Sequence, residues 1–401
     1  MIYFSQNNFI QDNITNRKES FFKADLEANK EELSKLIQNK SILVIGGAGT
    51  FGSSFIKAMI RYKPGSLIVV DQNENDLTEL TRDLRSSYNE YVPNNYITYP
   101  FNFGSEVFHK LIRTHKFDAV ACFAAHKHVR SEKDHLAIEA MINNNVFNTL
   151  NLLKNLKSQN LSHFFSVSTD KAANPVNIMG ASKKLMEQIL LQYSEEMNIS
   201  TARFANVAFS NGSLLYGFNH RIAKRQPLSA PSNVKRYFVS PEESGELCML
   251  ACFLGKKGDI FFPKLREDQM LTFSEIAEKF LHTLGMEPDY CETENEARTK
   301  ALNWTPENKN YPVYFFDTAT SGEKKYEEFY EEGDQLVEDA FSSLGIIKKD
   351  KSITYDVEGT VAKLKATFES EISKKDIVVL LKSILPGFNH IEKDKNLDQV
   401  L

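Results

Sequence analysis

The stretch Gly46-Gly-Ala-Gly-Thr-Phe-Gly52 follows an apolar run, Ser41–Ile45, and opens Phe51–Ile60, where apolar residues recur at helical spacing. A strand that ends in glycines and turns at once into a helix has few folds open to it. Glycines at 46, 49 and 52 let the main chain turn sharply, approach a pyrophosphate and seat the helix on a sheet. The helix N-terminus then offers unpaired N–H groups and a positive dipole end to phosphate. A glycine motif alone is weak evidence, since a tight strand–helix turn without a ligand would use the same residues. Here Asp71 closes the next apolar run, Leu67–Val70, where a carboxylate can bind the hydroxyls of an adenosine ribose. An acid at that place repels a 2′-phosphate, so the expected cofactor is NAD rather than NADP.

Further apolar runs at Tyr96–Thr98, Ala119–Phe123 and His163–Val167 alternate with helical stretches near 74–88, 104–115, 136–157 and 179–196. This alternation implies an α/β fold, a Rossmann-like doubly wound parallel sheet with helices on both faces. After Arg203 the regularity breaks down. Residues 205–240 read as loops, 242–254 and 273–284 as helices and Gly258–Phe262 as a strand, while 290–312 resist assignment. The expected organisation is a helical extension over 1–40, a NAD-binding domain over 41–204, a mainly substrate-binding region over 205–345 and a second helical extension over 346–401. In the first extension Phe22, Leu26, Leu33 and Leu36 form a packing stripe.

Composition removes other classes. A hydrophobic share of 42% suits a globular core, and a net charge of −5 leaves no footprint for nucleic acid. No run approaches the roughly 18 apolar residues of a membrane span, and the N-terminus lacks the pattern of a secretory leader. Four scattered cysteines suit a reducing compartment, so a cytoplasmic location is expected. Cys248 and Cys252 read as sharing a buried helix face. Neither they nor His126 and His128 have partners nearby in sequence, so no metal site is expected.

The run His163–Val167 leads into Ser168-Thr169-Asp170-Lys171, and open parallel sheets bind ligands beyond the carboxyl ends of their strands. Asn174-Pro175 then turns the chain, and a helix starting near Asn177 puts Met179 and Lys183 on one face. Together GGAGTFG, AAHKHV (124–129), NNNVFNT (143–149), STDKAANPVNIMGASK (168–183) and RFANVAFSNGS (203–213) resemble the extended short-chain dehydrogenase/reductase family. More narrowly they are similar to its UDP-N-acetylglucosamine 4,6-dehydratases of bacterial surface-glycan synthesis. The resemblance runs from about residue 38 to 265 and resumes weakly at Ser321–Lys324.

The resemblance implies an internal redox reaction: oxidation at carbon 4 of the sugar by NAD, loss of water across carbons 5 and 6, and return of hydride to carbon 6. It implies that Gly46, Gly49, Thr50, Phe51, Gly52, Asp71, Asn102, Ala124 and Ala125 line the cofactor, with Asn102 standing where relatives carry an acid. Thr169 would bind the 4-hydroxyl, Asp170 serve as acid, Lys171 as base for carbon 5, and Lys183 hold the nicotinamide ribose. Lys127, Asn206, Arg236 and Glu323 would meet the UDP-sugar, Arg236 being the leading phosphate ligand. Relatives carry Arg-Pro where this chain has Thr320-Ser321, which removes one expected cation.

Met179 stands where such enzymes usually place a tyrosine, and a thioether cannot carry a proton. Two outcomes stay open. Loss of a general base would slow oxidation by roughly 10²–10⁴-fold, or Asp170 or a water held by Thr169 and Lys183 takes the proton. The presence of Asp170, Lys171 and Lys183 favours the second, as does a family branch with methionine here and activity intact, many of whose members are membrane-anchored. That branch also points to retention at carbon 5. An inverting dehydratase, an epimerase or reductase on the same fold and a non-catalytic binder are the competing readings. Members commonly pair through helices, and the apolar faces of Ile138–Leu153 and Leu185–Tyr193 suit such a bundle, so a homo-oligomer is expected.

Overall fold

The computed structural model describes residues 4–391 apart from 88–90, 319–323, 325, 327, 349, 351 and 371. Among these residues nine strands form one sheet. Seven of them are parallel, the first six being β1 (Ser41–Ile45), β2 (Ser66–Val70), β3 (Asn95–Tyr99), β4 (Ala119–Cys122), β5 (His163–Val167) and β6 (Ile199–Ala202). Their order is β3-β2-β1-β4-β5-β6, so the winding reverses between β1 and β4 and a crevice opens there at the carboxyl ends. Strand Asp259–Pro263 adds parallel to β6, and Leu344–Lys348 and Gln335–Val337 complete that edge antiparallel. The sheet thus draws strands from well beyond residue 204.

Alternation along β1 shows why such strands are apolar throughout. Ile42 and Val44 pack with Phe55, Leu247 and Phe253, while Leu43 and Ile45 pack with Phe108, Ile138 and Leu185. The first layer holds helices Thr50–Ile60 and Pro241–Leu254; the second holds Glu106–Thr114, His135–Ile142, Asn148–Leu156 and Ile178–Tyr193. Cys248 and Cys252 are both buried on Pro241–Leu254. No cluster among the described residues could hold a metal ion. No helix among them is long and apolar enough to cross a membrane.

The expected N-terminal helix is two, Lys23–Ala28 and Lys30–Ile37, which meet at Asn29. Phe22 and Leu33 are fully buried, and Leu26 and Leu36 pack at the edge of the same cluster. The segment read as loops contains a helix, Leu214–Ala223, whose start is capped by the Ser213 hydroxyl accepting the Tyr216 N–H. The stretch without assignment holds a helix, Glu294–Leu302, and a strand, Asn310–Phe316. That strand joins Glu287–Tyr290 and Leu228–Pro231 in a second parallel sheet. Tyr311 and Val313 there are buried against Ile276, Phe280 and the N-terminal Phe9 and Ile14. These partners are hundreds of residues apart in places, so local pattern could not reveal the element.

The extension expected to be helical from residue 346 begins with the end of strand Leu344–Lys348, and two helices follow, Val357–Phe368 and Lys374–Ile384. Leu364, Ile377, Leu381 and Phe388 are buried in one cluster with Ile138, Val146, Leu185 and Ile189. Each such burial stabilises the fold by about 1.5–3 kcal/mol. The faces reserved for a second subunit are therefore packed here against the chain's own C-terminal helices.

Candidate active site

The glycine turn lies at the β1/β4 reversal. Gly46 has φ +72°, and a Cβ there would sit 2.5 Å from the Ala124 nitrogen; at Gly52 a Cβ would sit 2.3 Å from the Gly46 carbonyl oxygen. Gly49 differs. Its Cβ would meet only the Gly46 carbonyl oxygen, at an ordinary 3.6 Å, yet the residue borders a cavity of about 430 Å³. The fold itself demands glycine at 46 and 52, whereas at 49 the glycine leaves room in the cavity. Gly49 also caps helix Thr50–Ile60 without a side chain, so the first N–H groups of that helix suit an anion.

Asp71 accepts hydrogen bonds from the N–H groups of Ala48 (3.1 Å) and Asn73 (3.0 Å), tying the glycine turn to the end of β2. Burial, and then the negative charge of Asp71, push the Asp76 carboxyl up. Asn102 accepts from the Gly104 N–H and donates to Gln72. Ala124, Ala125, Thr50 and Phe51 complete this wall. The cradle fits a dinucleotide: room at Gly49, an open helix end and a carboxylate at the neighbouring strand.

A second cavity, about 310 Å³, shares Phe51, Phe123, Ala125, Lys127 and His128 with the wall of the first. Thr169, Asp170, Lys171, Met179, Lys183 and Asn206 all line it. The Thr169 hydroxyl donates to Asp170 Oδ1 at 2.8 Å, and Lys171 Nζ lies 3.1 Å from the same oxygen. Two polar groups thus meet at one carboxylate, on a residue that is 3% exposed. Lys183 donates to the Val167 carbonyl at 2.7 Å, and burial lowers its ammonium to about 8, although Cys122 and Glu187 pull the other way. Met179, one turn earlier, is buried with no polar hydrogen to offer. At the junction Lys127 donates to the Asn211 carbonyl at 3.0 Å. Burial lowers Lys127, His126 and His128, and for His128 nearby Lys127 and Arg130 add to the effect.

Arg236 is elsewhere. It lines neither cavity, and its guanidinium donates to the carbonyls of Lys235 and Lys324. Glu323, like Thr320-Ser321, lies outside the described residues.

Three supports have no role in the sequence reading. Asn145 accepts from the His126 N–H and donates to the His126 carbonyl and to Ser182, joining the loop after β4 to helix Ile178–Tyr193. The three consecutive asparagines at 143–145 were its only signal. Glu187 forms a buried pair with Arg203 and accepts from Ser168 at 2.6 Å, which holds the exit of β5. Burial alone would raise the Glu187 carboxyl, but the Arg203 guanidinium brings it below its usual range. Glu132 accepts the Ile178 N–H at 2.7 Å.

The reversed sheet, the glycine cradle and the polar group at the end of β5 together define an extended short-chain dehydrogenase/reductase fold. Residues 42–349 match the profile of the family described as Polysaccharide biosynthesis protein, and the chain belongs to that family. An uncharacterized membrane protein of Methanocaldococcus jannaschii is 31% identical over 65% of this chain and 78% of its own length. The capsular polysaccharide biosynthesis protein CapD of Staphylococcus aureus is 29% identical over 59% of this chain, which spans only 40% of CapD. Two enzymes are similar at lower coverage. A UDP-N-acetylglucosamine 4,6-dehydratase (inverting) of Campylobacter jejuni is 26% identical over 57% of this chain and 68% of its own. A UDP-glucose 4-epimerase of Rickettsia typhi is 29% identical over 56% and 66%. Relatives of this chain are thus nucleotide-sugar dehydratases and epimerases. Among solved structures, Pen from Bacillus thuringiensis superposes with TM-score 0.64 at 21% identity, covering 88% of this chain and 98% of Pen. DesIV, a dTDP-glucose 4,6-dehydratase from Streptomyces venezuelae with NAD bound, gives 0.55 at 18%, over 72% and 88%. At such identities the likeness is one of fold.

Proposed function

We propose that the chain is a UDP-N-acetylglucosamine 4,6-dehydratase yielding a UDP-4-keto-6-deoxy-N-acetylhexosamine with carbon 5 retained. The observation that carries this reading is the contact series Thr169–Asp170–Lys171 on the wall of the inner cavity. NAD, held by Gly46, Gly49, Thr50, Phe51, Gly52 and Asp71, supplies the hydride acceptor for carbon 4 and the donor for carbon 6. Asp71 disfavours a 2′-phosphate, which selects NAD over NADP.

Thr169 gives its own hydrogen to Asp170 and keeps lone pairs for the sugar's 4-hydroxyl. As carbon 4 is oxidised, the 4-hydroxyl proton moves to Thr169 while the Thr169 proton moves to Asp170. The new ketone acidifies carbon 5, and Lys171, in the role of base, takes that proton. Asp170 then gives its proton to the departing 6-hydroxyl, which leaves as water, and Lys171 returns its proton to carbon 5. Each group ends as it began, and no step calls on residue 179. The missing tyrosine is answered by a relay in the turn just after β5, and Met179 serves as an apolar wall. Asn206 and Lys127 lie where the nucleotide-sugar would enter.

The test is proton NMR of UDP-N-acetylglucosamine incubated with the protein in heavy water. A 6-deoxy methyl signal, with deuterium at carbon 5 and the original configuration there, is the expected product. The Rickettsia relative supports a 4-epimerase as second reading, and a UDP-N-acetylgalactosamine product would establish it. Unaltered sugar would sink both. Asp170→Asn should lower turnover by roughly 10²–10⁴-fold; full carbon-4 oxidation in that variant would refute the relay.

A further inference from the structure

Residues 356–391 lie outside the cavities described above, yet they reach the reaction-centre turn by main-chain bonds. Helix Lys374–Ile384 ends before Leu385-Pro386-Gly387, and the chain then runs back along the 175–176 turn. There the Asn389 N–H donates to the Pro175 carbonyl at 3.1 Å and the Ile391 N–H to the Val176 carbonyl at 3.0 Å. The next residue, Asn177, caps helix Ile178–Tyr193 by accepting from the Gly180 N–H. Gly180 lies so close to the turn that a Cβ on it would be 2.3 Å from the Lys171 carbonyl oxygen. The path from residue 389 to Lys171 is therefore short and made of backbone. Beside it, Glu132 accepts the Ile178 N–H, with His390 Nε2 3.9 Å from the same carboxylate oxygen.

We infer that residues 356–391 are a cap in cis: they hold the 171–180 turn in place and occupy the helix face that a second copy of the chain would otherwise cover. The apolar half of the inference is the burial of Leu364, Ile377, Leu381 and Phe388 with Leu185 and Ile189. The polar half is the pair of main-chain bonds to 175 and 176. Lys154 and Glu358, paired at 2.8 Å, close the rim.

The test uses the full chain and does not depend on which sugar the site takes. Asn389→Pro and Ile391→Pro each remove one clamping N–H and leave helices 357–384 in place. Hydrogen exchange of the amides at 171–183 should quicken by roughly tenfold in each, with β1–β4 unchanged. Where turnover is measurable, kcat should fall while KM stays within about twofold, which separates positioning from loss of binding. Leu381→Asp instead undermines the apolar contact, and should give the same quickening together with self-association in sedimentation. The wild-type chain should sediment as a monomer. Unchanged exchange at 171–183 in all three variants overturns the clamp. A wild-type dimer whose cross-links join helix 178–193 of both copies overturns the cap.

Discussion

Lys183 is a cation held almost wholly buried, at 3% exposure. Its amine contacts one carbonyl and the Met186 sulfur, and burial brings it to about 8 from an ordinary 10.5. The folded protein therefore binds fewer protons than the unfolded chain between pH 8 and 10.5, and this residue makes stability rise with pH across that window. Below pH 8 the buried ammonium costs on the order of 3 kcal/mol. Lys183→Met removes the titration but leaves the Val167 carbonyl without its donor. Whatever the absolute stability of the variant, its advantage over the wild type should shrink by about 3 kcal/mol from pH 7 to pH 10.5 in urea titrations. A difference that is flat with pH would contradict the burial of a charged amine.

At the scale of one element, the turn between β1 and helix Thr50–Ile60 separates two uses of glycine. Gly52→Ala would drive a methyl group to 2.3 Å from a backbone oxygen, and the helix would have to shift off the sheet. Gly49→Ala meets nothing closer than 3.6 Å, so it should cost no more than about 1 kcal/mol of apo-protein stability. The same methyl group would enter the space of the pyrophosphate, and dinucleotide retained on purification should be largely lost. Thermal melting and released-cofactor absorbance distinguish the pair. A Gly49→Ala protein that keeps its cofactor would show that the cradle is used differently. This turn was legible because its strand, glycines, helix and acid lie within about thirty residues of one another in the chain. Helix Leu214–Ala223 was not, although Ser213 is a good cap, because its apolar residues are buried by elements far away in sequence.

Across the whole molecule, the site depends on buried polar contacts between distant segments. Glu187 on helix Ile178–Tyr193 pairs with Arg203 just after β6, and Arg203 also donates to the Phe329 carbonyl. Glu187→Gln leaves the buried Arg203 guanidinium with only the more distant Asp334, at 4.0 Å, as counter-charge, and should destabilise the fold by about 3 kcal/mol. Chemical denaturation would measure this, and a loss below about 1 kcal/mol would mean that water reaches the pair. Arg236 likewise ties distant segments together, its guanidinium donating to the carbonyls of Lys235 and Lys324.

What the residues alone determined is whatever local periodicity and backbone geometry can encode. The parallel strands, the glycine turn, Asp71 after β2 and the group Thr169-Asp170-Lys171 at the end of β5 all belong to this kind, since each needs only its neighbours in the chain. Tertiary structure decided that Asp170 accepts from both flanking residues, that Asn145 and Glu187 brace the site, and that the C-terminal helices lie on the face expected to meet another subunit. Those contacts join segments as far apart as Asn389 and Pro175. Burial and hydrogen bonding at such separations depend on how the whole chain packs, and no short stretch of sequence records them.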